Sequence, residues 1–448
     1  MKEFFDYLSS LGINDPPDAF AVLHKKDFKQ VFKVFENILI YISKDKKFNL
    51  SPTTPFSFSA NSSLSGGDFP CQMLPCRINR VSNLVNFAGL YADTLIISDP
   101  FKRYKENYPF SNKEKFYNDF INDLTILMVY KPLIEEGIVK INNYHICSDC
   151  LCNYLHDNRG IDIKKRLEQI ANKVKKIVTP KINLKLGTQK VLILKDENGL
   201  TDINVIKFKK LPRDFNKIAD KVPYIFSQRE IKNLKGLWGT IFDRSLDDLL
   251  YQKYSPFTAK YSYLTNRKID TLLIQEFGAQ GDFFNGNNLV DNFTESLEHP
   301  LPFLINADIK QVLEIRRRES ESFNSYREAV AKVLKYKKNK LSPEDEKEIL
   351  GETISPEIKK IDKIVKQHKK YGRSRLAKKA IFTLASIGIG VFGKEYLNLD
   401  IQNINSIVGV FNCGSFFEEW LKLKENPITA VDNDYYFLWK LNKKFNNC

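Results

Sequence analysis

Cysteine carries the first residues with spacing that could do chemistry. Cys147 and Cys150 stand at the C-x2-C interval, with Cys152 two residues on, and Cys71 and Cys76 form a second pair. A tight turn between two thiolates brings both sulfurs to one face of a metal, so Cys71, Cys76, Cys147 and Cys150 are a candidate structural zinc set. His145 and His156 are alternative ligands. No second C-x2-C is present, and some 70 residues separate the two pairs. The competing reading is reduced cysteines packed as small apolar residues.

The second candidate is Ser63-Leu-Ser-Gly-Gly-Asp68. Glycines flanked by serines can bend backbone amides around a phosphate. The spacing is neither that of a P-loop nor that of a dinucleotide fingerprint, and no Gly-Lys-Ser/Thr follows. A plain loop is the expectation here. Asp99, with Asp93 nearby, lies just past a short apolar run. Carboxylates beyond strand ends can serve as bases or hold metals in α/β folds, although Asp-Pro is also an ordinary turn. The five histidines, His24, His145, His156, His299 and His368, are scattered, which disfavours histidine-based catalysis.

Two further candidates are cationic. The apolar stripe Ile309, Val312, Leu313, Phe323, Val330 passes through Arg316, Glu319 and Arg327. Charged groups on a packed face must be paired with one another or serve a ligand or interface. From Glu357 to Lys379 the chain holds ten Lys or Arg against two acids. Ile358, Ile361, Ile364 and Val365 would form one face of a helix there, and Lys359, Lys363, Lys366 and Lys370 another. Tyr371, Arg373 and Arg375 extend the ridge. Such ridges neutralise phosphates, though many charge runs are only solvated faces.

The elements that must position these residues are read from periodicity. Asp27–Ser43, Ile78–Tyr91, Lys115–Tyr130 and Ile161–Ile177 have helical spacing, the first with Asp27 as its cap. A separate short helix is expected to stop at Gly137. Thr94–Ile97 and Ile138–Ile141 read as strands. Lys190–Leu194 and Asn204–Phe208 suggest a hairpin, and Ile269–Gln275 another strand. Leu50–Gly67, rich in Ser, Thr, Pro and Gly, reads as loop or irregular strand, and Gly278–Asn288 as loop. A long helix is expected over Asp308–Lys335. Ser342 and Ser355, each followed by Pro and Glu, read as further helix starts.

The fold class that results is mixed α/β and predominantly helical, with an α/β N-terminal portion and an all-helical C-terminal portion. The expected domains are an α/β domain over 1–150, a basic mixed region over 151–300 and a helical domain over 301–448. A chain of 448 residues with 43% hydrophobic residues can build two or three cores. The net charge of +15 favours nucleic acid or another polyanion as partner. The N-terminus lacks the apolar core of a signal peptide, and the longest apolar run, Ala380–Gly393, is 14 residues, short of the roughly 20 a spanning helix needs. A cytoplasmic protein without an integral membrane segment is the expectation. The leading functional expectation is a nucleic-acid-associated protein working with a protein partner in a complex, with bacterial host defence as its suggested setting. The alternatives are a phosphodiester hydrolase using Asp99, and a membrane-acting effector using the C-terminal apolar helices.

Overall fold

The computed structural model describes residues 1–44, 56–105, 108–142, 152–153, 156–157, 162–188, 191–196, 200–206, 221–254, 258, 261–279, 309–318, 320–321, 323–325 and 327. The described part is mixed α/β with a parallel sheet. Two compact units divide it. One takes Met1–Leu84 and the described residues from Asp93 to Ala279. The other takes Val85–Ala92 and those from Ile309 on.

The first unit opens with three helices, α1 (Lys2–Ser10), α2 (Pro16–Leu23) and α3 (Phe28–Lys44). Asp27 caps α3 as expected: its Oδ1 accepts the Gln30 amide at 2.8 Å, and the Gln30 side chain accepts the Asp27 amide at 3.3 Å. Then comes β1 (Ser57–Ala60), followed by α4 (Leu74–Tyr91), β2 (Thr94–Ser98), α5 (Lys113–Glu135) and β3 (Val139–Asn142). These strands form a parallel sheet with β8 (Ser262–Leu264), in the order β3-β2-β1-β8. Strands in such a sheet are covered on both faces, and all four residues of β1 are buried.

The Leu50–Gly67 stretch, expected as loop or irregular strand, contains β1, a central strand of this sheet. Two expectations are corrected. Lys113–Glu135 is one helix that runs through Pro132, where two helices are expected from the sequence. Gly137 does close it: with φ +74° it occupies the left-handed position, and the Ile138 amide reaches back to Leu133 O at 2.9 Å. Ile269–Gln275 belongs to a helix, because the strand lies upstream at Ser262–Leu264 and Asp270 suits a helix's first turn.

The same unit holds an antiparallel sheet built from β4 (Ile182–Leu186), β5 (Leu192–Asp196), β6 (Val205–Ile206) and β7 (Tyr224–Ile225), in the order β6-β5-β4-β7. The expected pairing of the fifth and sixth strands is present; β4 and β7 add to it. Burial alternates along β4, so Ile182, Leu184 and Leu186 face a core while Asn183 and Lys185 face solvent. That core is shared with α6 (Ile163–Val178), α7 (Gln228–Asn233), α8 (Lys235–Tyr254) and α9 (Lys268–Ala279). The second unit's described helix is α10 (Ile309–Arg318). Gly89 lets it approach, since a Cβ there would sit 2.5 Å from the Ile309 Cδ1. Among the described residues no helix is long and apolar enough to cross a membrane.

One buried carboxylate locks the parallel sheet's helices. Asp123 of α5 accepts from Arg77 Nη2 at 2.6 Å, from Arg103 Nε at 2.9 Å and Nη2 at 2.6 Å, and from the Tyr104 hydroxyl at 2.8 Å. Asp123 and Arg77 are essentially inaccessible to solvent. Burial works against the Arg103 charge, but Asp123, Tyr104 and Asp119 outweigh it and hold the guanidinium above its ordinary value. Removing one partner of such a group strands an uncompensated charge. Asp123→Asn is expected to cost about 3–5 kcal/mol of unfolding free energy in urea. Loss of the half-exposed Lys115–Asp119 pair by Lys115→Ala is expected to cost about 1 kcal/mol or less. Equal costs for the two would contradict this assignment.

Candidate functional site

The candidate cavity is built on a single turn that follows β1. Asn61 extends the strand, its amide bonding Leu264 O at 2.9 Å. Its Oδ1 then accepts the Leu64 amide at 2.8 Å, while its Nδ2 gives bonds to Thr265 Oγ1 at 2.9 Å and Asn266 Oδ1 at 3.0 Å. The Ser65 amide returns to Asn61 O, that of Gly66 to Ser63 O and that of Gly67 to Ser62 O. This is one helical turn with a Schellman closure, and Gly66, at φ +89°, occupies its left-handed position. Ser65 Oγ accepts the Ser98 amide at 3.1 Å, joining the turn to the end of β2.

The turn's carbonyls are held from the other side by α4. Arg77 Nε donates to Gly66 O at 2.7 Å. Arg80 donates to Ser63 O at 3.1 Å, Gly67 O at 2.8 Å and Cys71 O at 3.3 Å. Ser62 is fixed by α8: its hydroxyl donates to Asp248 Oδ2 at 2.8 Å and its amide does so at 3.3 Å. Asp248 Oδ2 also accepts from Arg267, which bonds Asp270 at 3.2 Å. Burial opposes the Arg267 charge, and Asp270 and Asp248 overcome it, holding that guanidinium well above its ordinary value.

The amides of Ser62, Leu64, Ser65, Gly66 and Gly67 are therefore all committed within the protein. The Ser63–Asp68 segment, expected as a plain loop, is thus a helical turn whose amides from Leu64 to Gly67 are already engaged. Its position is what the sequence misses. The turn forms one wall of a cavity of about 670 Å³ at the carboxyl ends of the parallel strands. Ala60 and Asn61 reach it from β1, Ser98 and Asp99 from β2, Asn142 from β3, and Tyr263 from β8. From β1 the chain crosses through α4 to β2 on one side, while β8 pairs with β1 on the other. Strand order reverses at β1, and crevices outside such a switch point are where open α/β sheets hold ligands.

The lining carries both charges. Lys102, Arg103 and Arg244 supply cations; Asp68, Asp99, Asp247 and Asp248 supply carboxylates. Lys102 lies over the Tyr251 ring at 4.2 Å and Arg244 over the Phe69 ring at 5.9 Å. Arg103 reaches Asp68 at 3.5 Å. Asp99, named from the sequence, is 5% exposed and lies in this lining. Its Oδ1 accepts the Phe101 amide at 2.8 Å, so it also shapes the turn after β2. Local pattern could not flag Asp248, Arg244 or Arg103, since each lies in a helical or turn segment with no motif around it. The signal available for β1 was the alternation Phe56-Ser57-Phe58-Ser59.

The other sequence candidates are placed as follows. Cys71 and Cys76 are free and their thiols share a hydrogen bond, which together with burial pushes the Cys76 thiol up. Cys147 and Cys150 lie outside the described residues. Among the described residues no group of three or more His, Cys, Asp or Glu is placed to hold a metal. Arg316 donates to Ala92 O at 2.8 Å and Gly89 O at 3.3 Å, satisfying carbonyls at the end of α4, and its guanidinium lies 4.2 Å from the Phe323 ring centre. Arg327 flanks the same ring at 5.1 Å. Glu319, the ridge of Lys359, Lys363, Lys366, Lys370, Arg373 and Arg375, and the apolar 380–393 stretch lie outside the described residues.

Two outcomes test this geometry. An alanine Cβ at Gly66 would fall 2.6 Å from methyls of Ile126 and Val81, whereas one at Gly137 meets nothing within 4 Å. Both positions have positive φ. Gly66→Ala is thus expected to lower stability by about 2–4 kcal/mol, strain plus overpacking, and Gly137→Ala by about 1–2 kcal/mol, as read from urea unfolding. Arg316→Met is expected to cost about 1–3 kcal/mol through the orphaned carbonyls. An Arg316→Met protein as stable as the parent but without its function would instead assign that arginine to a ligand or an interface.

Comparison of the chain with protein-family models, with curated proteins and with solved structures finds no match.

Proposed function

We propose that this is a nucleic-acid-associated protein whose α/β unit binds a nucleotide in the cavity at the carboxyl edge of β1, β2 and β8. The cavity's placement at the sheet's switch point is the observation that carries this reading. Its volume of about 670 Å³ lies in the range of small-molecule sites. Lys102, Arg103 and Arg244 would meet the phosphates; Asp247 and Asp248 would accept hydrogen bonds from ribose hydroxyls or base amines. The net charge of +15 supports a polyanionic partner for the whole chain. A helical C-terminal portion with the Lys359–Arg375 ridge, a protein partner and a cytoplasmic setting complete the proposal on the strength of the sequence.

A second reading, phosphodiester hydrolysis in the same cavity, draws on Asp99. This buried carboxylate sits at a strand end in the same lining as the three cations. In that role Asp99 would take the proton of an attacking water while the cations stabilise the charge that develops on the phosphate.

Titration calorimetry of the full chain with nucleoside mono-, di- and triphosphates, with and without Mg²⁺, is the direct test. At least one is expected to bind below about 1 mM, and Arg244→Ala and Lys102→Ala are each expected to weaken it about tenfold, or ~1.4 kcal/mol. Absence of binding by every nucleotide, or full binding by both variants, would remove the proposal. Product analysis of labelled oligonucleotides with wild type and Asp99→Asn separates the hydrolase reading, which requires cleavage that the variant loses.

A further inference from the structure

A second cationic site lies in the same unit and takes no part in the cavity. α6 ends at Val178, α7 at Asn233, and α8 begins at Lys235. The Lys175 ammonium lies 5.3 Å from the centre of the Trp238 ring. That ring is 5% exposed and fixed, because its indole N–H donates to Ile231 O at 3.0 Å. Lys232 in the last turn of α7 and Lys235 at the start of α8 are exposed, and both act electrostatically on Lys175. The acid on α7, Glu230, is engaged with the Tyr224 hydroxyl at 2.5 Å and with Ser227.

We propose that Lys175, Lys232 and Lys235, on the end of α6, the end of α7 and the start of α8, bind backbone phosphates of a nucleic acid. Bringing like charges together opposes folding, and a phosphate held between them relieves that repulsion. The crowding is visible at Lys175, whose ammonium is pressed below its ordinary value by burial and then by Lys232 and Lys235. The first amides of α8, a 20-residue helix, lie at the same place, so the positive end of its dipole adds to the field. Lys176 and Lys181 are exposed on the adjoining end of α6 and the turn after it, which gives a strand more than one cation to follow. The fixed indole favours a polymer phosphate over a lipid surface. A membrane site would present apolar side chains for insertion; Trp238 is buried, and the one exposed apolar side chain on this end of α6 is Ile177.

The proposal rests on the nucleic-acid reading but not on the cavity, since none of the three lysines lines it. Fluorescence anisotropy of the full chain with single-stranded RNA, single-stranded DNA and duplex DNA, over a salt series, tests it. The variant Lys175→Ala/Lys232→Ala/Lys235→Ala is compared with Lys25→Ala/Lys29→Ala/Lys33→Ala, which removes the same charge from exposed positions on α3 and the turn before it. The first triple is expected to lose about tenfold or more in affinity and to reduce the salt slope by about 1–3, at ~0.9 per duplex phosphate contact. The control is expected to lose less than about threefold, a generic charge effect. The charge-preserving Lys175→Arg/Lys232→Arg/Lys235→Arg protein should bind as the parent does, and melting curves verify folding of each. Equal losses in both alanine triples, or unchanged binding in the first, would overturn the site while leaving the nucleic-acid reading intact. Failure of the parent to bind any nucleic acid would overturn both. Loss confined to vesicles containing phosphatidylserine would assign the cluster to a membrane surface and overturn it too.

Discussion

The Asp123 carboxylate, fully buried and bound to two guanidiniums and a phenol, is the constraint on which the α/β unit turns. It sits on α5, and its partners come from α4 and from the turn after β2. An unpaired carboxylate or guanidinium in that position would cost several kcal/mol, so these three elements cannot shift independently. Arg77 is the link outward. The same side chain that neutralises Asp123 also holds Gly66 O, and through it the turn after β1 has a fixed place. Aromatic packing reinforces the arrangement: Phe116 stacks on Phe120, and Phe35 meets Tyr104, Phe116 and Phe120 edge to face.

A second network, Ser62–Asp248–Arg267–Asp270, holds the turn from the opposite side. Between the two, every amide from Leu64 to Gly67 and the Ser62 amide find partners inside the protein. The turn is a rigid wall, and any anion in the cavity would be met by side-chain cations. This preorganisation reduces what a bound ligand must order for itself. It also separates the two proposed sites by kind. The cavity mixes carboxylates with cations and suits a small polar ligand, whereas the Lys175 cluster is built on lysines and suits a repeating phosphate chain.

Much of the local architecture was legible. Asp27 before an apolar stripe, Gly137 after one and the β-branched run at Thr94–Ile97 each encode their own geometry within a few residues. β1 was hidden because it is four residues long and two of them are serines in a Ser- and Pro-rich context, so the Phe-Ser alternation did not stand out from a loop. A separate short helix was expected before Gly137, yet α5 runs on through Pro132 to Glu135. Ile269–Leu273 has the composition of a strand, but an acid in the first turn, Asp270, suits the helix dipole. The site itself was barely legible. Asp99 was found from its place after a strand, while the Asn61–Thr265 bond joins residues 204 apart in the chain, and Asp248 reaches Ser62 across 186. No local pattern encodes such pairings.

A crystal structure of the full chain grown with a non-hydrolysable nucleoside triphosphate and Mg²⁺ tests the central claim most directly. The account predicts ligand density against the Ser62–Gly67 turn, with phosphates within hydrogen-bonding distance of Lys102, Arg103 or Arg244 and the turn's conformation unchanged. Density elsewhere on the molecule, or a turn that unwinds to offer its amides to the phosphates, would contradict it.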